Sequence, residues 1–106
     1  QMPEKDLYDN LANDLIEILK RVRVNVGNDS DCNWSYYESP QDVHKEIDNY
    51  ISELKNGNLD SLSEIRMHFA PTSGYQELSM QNNWSKEYLE LADKFDLIES
   101  KLRNFS

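Results

Sequence analysis

The sequence predicts an all-α protein, a single domain of four to five helices packed as one bundle over residues 2–106. Apolar residues recur at every third or fourth position through most of the chain. Residues typical of helix starts and helix ends separate these segments. Hydrophobic residues make up 38% and aromatic residues 10% of the 106, which suits one small core and exceeds what a disordered acidic chain contains.

The first helix is predicted from Pro3 to Val26. Its apolar stripe consists of Leu7, Leu11, Leu15, Ile18 and Val22, widened by Tyr8, Ala12, Ile16 and Leu19. Pro3 suits the first turn of a helix, and Gly27 can end it in the left-handed conformation. The alternation of valines near Val26 is typical of a strand, but the longer helical stripe outweighs it.

A second helix is predicted to begin at Ser39 and Pro40, because serine caps a helix and proline favours its first position. Asn56 and Gly57 are expected to end it. Its buried face is predicted to consist of Val43, Ile47, Tyr50, Ile51 and Leu54.

A short third helix is predicted from about Asp60. Ser61 and Glu64 are expected to form a reciprocal capping pair at its start. Pro71 ends it, because proline disfavours helical backbone at the preceding residue. The partly apolar face of this helix consists of Leu62, Ile65, Met67 and Phe69.

The last helix has the clearest pattern, with apolar residues alternating by four and three positions. Ser85 is its expected N-cap, and Trp84 is expected to fold onto Leu89 as a hydrophobic staple. Such a pattern also occurs in coiled coils, but the other apolar faces favour packing within one chain. The stripe consists of Trp84, Tyr88, Leu91, Phe95, Ile98, Leu102 and Phe105.

The charge of the chain excludes several classes of function. Twenty Asp and Glu residues stand against eleven Lys and Arg residues, for a net charge of −9. Nucleic acid and anionic membranes are therefore not expected as partners, whereas basic proteins are.

The apolar runs are too short for a membrane span or a signal peptide, and Met2 is the expected native start. The single cysteine, Cys32, fits a reducing compartment, so a cytoplasmic protein is predicted.

No catalytic, cofactor or metal site is predicted. Asp29, Asp31 and Asn33 imitate the start of a calcium-binding loop, but Trp34 stands where that loop needs glycine. His44 and His68 lack the partner three or four residues away that helical metal sites use. The chain is therefore predicted not to be an enzyme. A site assembled through space from Cys32 and a histidine, or from two carboxylates, stays open as an alternative.

Two groups of residues are predicted to bind a partner. In the first, aromatic rings lie among acids, a composition typical of interface anchors: Asp29, Asp31, Trp34, Tyr36, Tyr37 and Glu38. In the second, carboxylates share one side of the second helix, opposite its apolar face: Asp42, Glu46 and Glu53. Two alternatives stay open, that Trp34 and one tyrosine plug the end of the bundle and that the second row is an ordinary solvated face.

Residues 69–96 read FAPTSGYQELSMQNNWSKEYLELADKFD. The motifs Phe-Ala-Pro-Thr, Gln-Glu-Leu, Asn-Trp and Tyr-Leu-x-Leu-Ala-x-x-Phe-Asp, with Trp-Ser-Tyr-Tyr before the second helix, resemble small helical immunity proteins of bacterial contact-dependent growth inhibition and other polymorphic toxin systems. The resemblance covers about the last two-thirds of the chain, and its motifs are structural. It implies a cytoplasmic protein that binds and neutralises one cognate toxin domain, often a nuclease.

The predicted function is inhibition of a basic toxin domain, expected to be a nuclease, by covering its active or substrate-binding surface. A protein that mimics nucleic acid and acts on a different target is one alternative, because rows of carboxylates resemble a phosphate backbone. The small enzyme described above is the other.

Overall fold

The computed structural model describes residues 4–30, 32, 37–70 and 73–105, and confirms the predicted all-α bundle. Within these residues the chain forms five α-helices and no strand: α1 Glu4–Asn25, α2 Pro40–Lys55, α3 Leu62–His68, α4 Gly74–Gln81 and α5 Ser85–Leu102. A 3-10 turn, Arg103–Phe105, follows α5. In the described part of the chain, no helix combines the length and apolarity needed to cross a bilayer.

Helix α1 lies between α2 and α5 and packs against both. Arg23 makes two hydrogen bonds to the Asp48 carboxylate of α2, at 2.9 and 3.1 Å, whereas Arg21 pairs with Glu87 of α5. Because the two arginines are only two residues apart on a helix, they point in different directions. Helices α2 and α5 therefore occupy different sides of α1.

The helices α1 and α2 run antiparallel and each satisfies a carbonyl group at the end of the other. The Tyr8 hydroxyl donates to the Leu54 carbonyl near the end of α2, at 3.1 Å. The His44 ring bonds to the Val26 carbonyl just after α1. The last carbonyl groups of a helix have no partner within it, so these side chains replace water at both ends of the pair.

The ends of α2 form as predicted. The Ser39 hydroxyl accepts a hydrogen bond from the backbone N–H of Asp42 at 3.3 Å, and Pro40 is the first helical residue. At the other end, Asn56 caps the helix and Gly57 has a φ of 78°, a left-handed conformation that favours glycine.

The predicted capping pair of α3 is wrong. Ser61 precedes the helix but has φ −90° and ψ 0°, not the extended backbone of a capping serine, and its side chain makes no capping bond. Its hydroxyl donates instead to the Glu53 carboxylate of α2, at 2.5 Å. The helix also begins at Leu62, two residues later than predicted, and the side chain of Met67 is exposed.

The sequence pattern does not predict α4. This helix has eight residues, begins with glycine and buries only Tyr75, Leu78 and Ser79, which is too few for a recognisable stripe. Asn83, with a φ of 67°, then makes the turn into α5.

The predicted staple between Trp84 and Leu89 is wrong. Trp84 itself is the N-cap of α5, and its ring packs edge-on against Tyr88 with centroids 6.5 Å apart. Leu89 is 60% exposed, because the buried face of α5 passes through Tyr88 and Leu91 on the other side of the helix. On α1, Leu7 is also more exposed than its place in the stripe predicts.

An aromatic core joins α3, α4 and α5. The Phe69 ring stacks on Phe95 with centroids 4.5 Å apart and meets the Tyr75 ring edge-on at 5.1 Å. The Tyr88 hydroxyl donates to the Phe69 carbonyl at 3.1 Å. Phe69 therefore fixes α4 and α5 to the end of α3. Phe95, which is completely buried, is the α5 residue at the centre of this contact.

Truncation of Phe95 to alanine should lower the free energy of unfolding by about 3–5 kcal/mol, because it removes a stacked ring and leaves a cavity. Urea denaturation followed by circular dichroism measures this change. Leu97→Ala is the control, since Leu97 is 67% exposed on the same helix and its truncation should change stability by less than about 0.5 kcal/mol. Equal midpoints for the two variants would contradict the packing described for α5.

Candidate partner-binding surface

The acidic charge of the chain is concentrated in one segment. Residues 28–65 contain nine of the twenty Asp and Glu residues but only two of the eleven Lys and Arg residues, so their net charge is −7 out of −9. The rest of the chain is nearly balanced. The segment comprises the loop before α2, α2 itself and the start of α3, so the charge lies on the α2 side of α1.

Seven carboxylates of this segment form a surface that we call the acidic face. Within the described residues, none of the seven has a Lys or Arg nitrogen within 4 Å, whereas Asp48 of the same segment is paired with Arg23. The face follows α2 over roughly 24 Å, the length of a 16-residue helix. It consists of Asp29, Glu38, Asp42, Glu46, Glu53, Asp60 and Glu64.

The predicted loop residues have different positions. Asp29 and Glu38 are exposed, while Asp31, Trp34 and Tyr36 lie outside the described residues. Tyr37 is only 5% exposed and belongs to the core, so it is not the surface anchor that its acidic neighbours predict. Its aromatic ring packs inside the bundle, which agrees with the alternative that one tyrosine of this loop plugs the end of the bundle.

The predicted row on α2 also needs correction. Asp42 is exposed, but Glu46 and Glu53 are half-buried beside the apolar face of α2, not opposite it. Each is three or four residues from Tyr50, which is buried, so the helical geometry brings both carboxylates to the edge of the core. Glu53 accepts the bond from Ser61, and Glu46 is the centre of a larger network.

A polar cluster surrounds Glu46, where α2, α3 and the loop before α2 meet. The Tyr37 hydroxyl donates to the Glu46 carboxylate at 2.5 Å. The Nε2 atom of His68 lies 3.1 Å from both the Glu46 carboxylate and the Tyr50 hydroxyl. The buried Tyr75 ring stacks on the imidazole of His68 with centroids 4.8 Å apart. The cluster thus holds one carboxylate of the acidic face in a fixed orientation.

Gly74 provides the room for this arrangement. A Cβ atom at Gly74 would lie 3.2 Å from a ring carbon of Tyr37. The Ser73 hydroxyl, one residue earlier, donates to the His68 carbonyl. The start of α4 therefore supports both Tyr37 and His68, two residues that hydrogen-bond Glu46.

Burial raises the pKa of Glu46, but hydrogen bonds from His68 and Tyr37 outweigh burial and hold this pKa below its ordinary value. Burial also raises the pKa of Tyr37, together with the nearby Tyr75 and Glu46. Burial again has the largest effect on Tyr50, whose pKa Glu46 and Glu64 raise further. Both tyrosines therefore stay protonated near neutral pH and act as hydrogen-bond donors.

The cysteine and the two histidines that were considered for a catalytic or metal site make contacts that support the fold. The Cys32 thiol lies 4.0 Å from the Ser30 carbonyl, and the side chain packs against the core. His44 bonds to the Val26 carbonyl, and His68 belongs to the polar cluster. Among the described residues, no three His, Cys, Asp or Glu side chains are grouped to hold a metal ion.

Sequence reasoning missed Glu64, His68 and Tyr75 as parts of this region. Glu64 could have been found, because counting charges by segment shows the acidic excess of residues 28–65. His68 and Tyr75 could not, because their positions depend on how α3 and α4 fold back onto α2. Comparison with protein-family models, curated proteins and solved structures finds no match to the chain.

Replacement of Glu46 by glutamine should lower the free energy of unfolding at neutral pH by about 1 kcal/mol, a modest cost because the carboxylate is partly exposed to solvent. The folded-state pKa of Glu46 is depressed, so its charge stabilises the fold at neutral pH, and this contribution is lost as the pH falls through that pKa. The variant and the parent should therefore converge in stability as the pH falls below that depressed pKa.

Urea titrations at neutral and acidic pH test this expectation. Glu90→Gln, at an exposed position of α5, is the matched control and should show little difference from the parent at either pH. A constant difference between the Glu46 variant and the parent across the pH range would show that the charge of Glu46 does not stabilise the fold.

Proposed function

We propose that this protein binds and neutralises a basic toxin domain, most simply a nuclease, as an immunity protein does. The observation that carries the proposal is the acidic face, where seven carboxylates have no Lys or Arg partner among the described residues. A nuclease binds the phosphates of its substrate with Lys and Arg side chains. An acidic face on a folded protein can occupy the same side chains and exclude the substrate.

The distribution of charge supports inhibition by surface coverage. If the net charge served only solubility, the carboxylates could be spread evenly over the molecule. Instead, residues 28–65 hold most of the net charge, while α1 and α5 carry acids and bases in nearly equal numbers. A field of one sign on one side steers a basic partner to that side and raises the association rate.

The rigidity of the acidic face also supports the proposal. Glu46 is fixed by hydrogen bonds to Tyr37, in the loop before α2, and to His68 of α3, and Glu53 by a hydrogen bond from Ser61, just before α3. Asp42 stands in the first turn of a helix whose start is capped by Ser39. A partner that binds these carboxylates therefore has little side-chain and loop motion to restrict, which lowers the entropic cost of association.

The resemblance of residues 69–96 to immunity proteins indicates the same class of function, although its motifs do not form the acidic face. Phe69, Tyr75 and Tyr88 of this segment build the aromatic core instead. Residues 69–96 would thus form the scaffold of the fold, whereas α2 and its flanking residues would contact the toxin.

Co-expression with the adjacent reading frame is the direct test, with growth of the host as the measurement. The parent chain should restore growth when that reading frame encodes a toxic domain. Normal folding of the chain with no rescue and no binding to the purified toxin domain would refute the proposed function.

Charge reversal of the acidic face should slow association with the toxin. The triple variant Asp29→Lys, Glu38→Lys and Asp60→Lys changes exposed residues and spares Glu46 and Glu64, which both interact with Tyr50. Its association rate at low salt should fall at least roughly tenfold, because long-range attraction is removed. The rate of the parent should also fall with added salt, as the field is screened over about 8–10 Å.

A triple variant with the same change in net charge provides the control. Asp9→Lys, Asp93→Lys and Asp96→Lys alter exposed residues of α1 and α5, away from the acidic face. Its association rate should stay much closer to that of the parent, as measured by stopped-flow fluorescence. A larger loss of rate in the control variant than in the acidic-face variant would place the toxin on the other side of the molecule.

A further inference from the structure

The two oxygen atoms of the Glu46 carboxylate have different surroundings. Both contacts with the polar cluster are made by Oε1, which accepts from the Tyr37 hydroxyl at 2.5 Å and lies 3.1 Å from the Nε2 atom of His68. Within the described residues, no hydrogen bond of the cluster reaches Oε2. One oxygen therefore faces the fold, and the other remains available to a donor from outside the chain.

The Oε2 atom of Glu46 is also accessible to solvent. Among the described residues, the side-chain atoms that are both buried and unbonded belong to Asn25, Tyr75, Gln81 and Trp84. The unbonded Oε2 atom is not one of them, and the Glu46 side chain keeps 25% of its surface exposed. Because the pKa of Glu46 lies below its ordinary value, the carboxylate is ionised at neutral pH. A cation can therefore approach Oε2 from solvent.

The Oε1 atom has no acceptor position left for a partner. An ionised carboxylate has no hydrogen to donate and about two acceptor positions on each oxygen. The Nε2 atom of His68 therefore carries the hydrogen of its contact with Oε1, and the Tyr37 hydroxyl takes the second position. The Tyr50 hydroxyl lies 3.1 Å from the same Nε2 atom and supports the ring that occupies Oε1.

We propose that the acidic face recognises a lysine of its basic partner at Glu46, an inference that deepens the proposed function and rests on it for the identity of the partner. A lysine ammonium is a compact charge with three donors, so a single oxygen satisfies it. A guanidinium binds a carboxylate most strongly through two parallel N–H bonds, one to each oxygen. Tyr37 and His68 already occupy one of those oxygens.

Exposed carboxylates of the acidic face do not make this distinction. Glu38, for example, is exposed, and both oxygens of an exposed carboxylate are open to a forked guanidinium. Glu46 is also held by the cluster, so a bond to it restricts less side-chain motion than a bond to a mobile surface acid. The acidic face as a whole thus attracts either kind of cation, while Glu46 discriminates between them.

Binding of two short peptides, hexalysine and hexaarginine, tests the proposal by isothermal titration calorimetry at low salt. The parent should bind both, because the acidic face attracts either cation. Glu46→Gln should weaken hexalysine binding roughly fivefold and hexaarginine binding less than about twofold, since only the ammonium bonds fully to Oε2. Glu38→Gln makes the same change at an exposed position and is the matched control, which should weaken both peptides by the same factor.

Tyr37→Phe gives the decisive measurement, because it keeps the buried ring and removes only the hydroxyl that occupies Oε1. A guanidinium can then bind both oxygens of Glu46. In this background Glu46→Gln should therefore weaken hexaarginine binding at least as much as hexalysine binding. Tyr88→Phe is the control, since it removes a hydroxyl that bonds to the Phe69 carbonyl instead. In that second background the lysine selectivity of Glu46 should persist.

Circular dichroism shows whether each variant is folded. Should Tyr37→Phe unfold the chain, His68→Phe replaces it, because this change opens the other position of Oε1 and keeps a ring against Tyr75. Equal losses of the two peptides on Glu46→Gln in the parent would overturn the proposal. A parent that binds neither peptide would also overturn it, as would lysine selectivity that survives the opening of Oε1.

The peptide measurements do not involve the toxin, so the two proposals fail separately. Lysine selectivity at Glu46 without rescue of growth would remove the toxin as the partner and keep the lysine site. Rescue of growth with equal losses of the two peptides would remove the lysine site and keep the toxin.

Discussion

The packing of the molecule depends on the end of α3, where two carbonyl groups must be satisfied among aromatic rings. The His68 carbonyl accepts the hydroxyl of Ser73, and the Phe69 carbonyl accepts the buried hydroxyl of Tyr88. A buried carbonyl without a partner would cost about 1–3 kcal/mol. Ser73 begins α4 and Tyr88 belongs to α5, so neither helix can move relative to α3 without breaking one of these bonds.

The side chains of the same two residues serve different parts of the molecule. The imidazole of His68 joins Glu46 and Tyr50 on the α2 side, whereas the Phe69 ring stacks on Phe95 of α5. One dipeptide therefore connects the acidic face to the aromatic core. The carboxylates divide according to this geometry. Glu46 stabilises the fold and also contributes to the surface field, while exposed acids such as Asp29 and Glu38 can contact a partner.

The features that the sequence predicts correctly are those set by residues close together in the chain. Ser39 and Pro40 begin α2 and Gly57 follows its end, because capping and left-handed backbone are local properties. The apolar stripe of α5 extends over 18 residues and needs no knowledge of its neighbours. The buried Phe95 could therefore be assigned to the core from spacing alone.

The features that the sequence misses depend on contacts between distant segments. Ser61 could cap its own helix, but Glu53 of α2 competes for its hydroxyl. The residues next to Tyr37 in sequence are acidic, which is typical of a surface anchor. The ring is nevertheless buried in the bundle, because its hydroxyl bonds to Glu46 and because Gly74 has no Cβ atom to obstruct it. In both cases tertiary hydrogen bonding overrides a local preference, because it also satisfies a partly buried carboxylate.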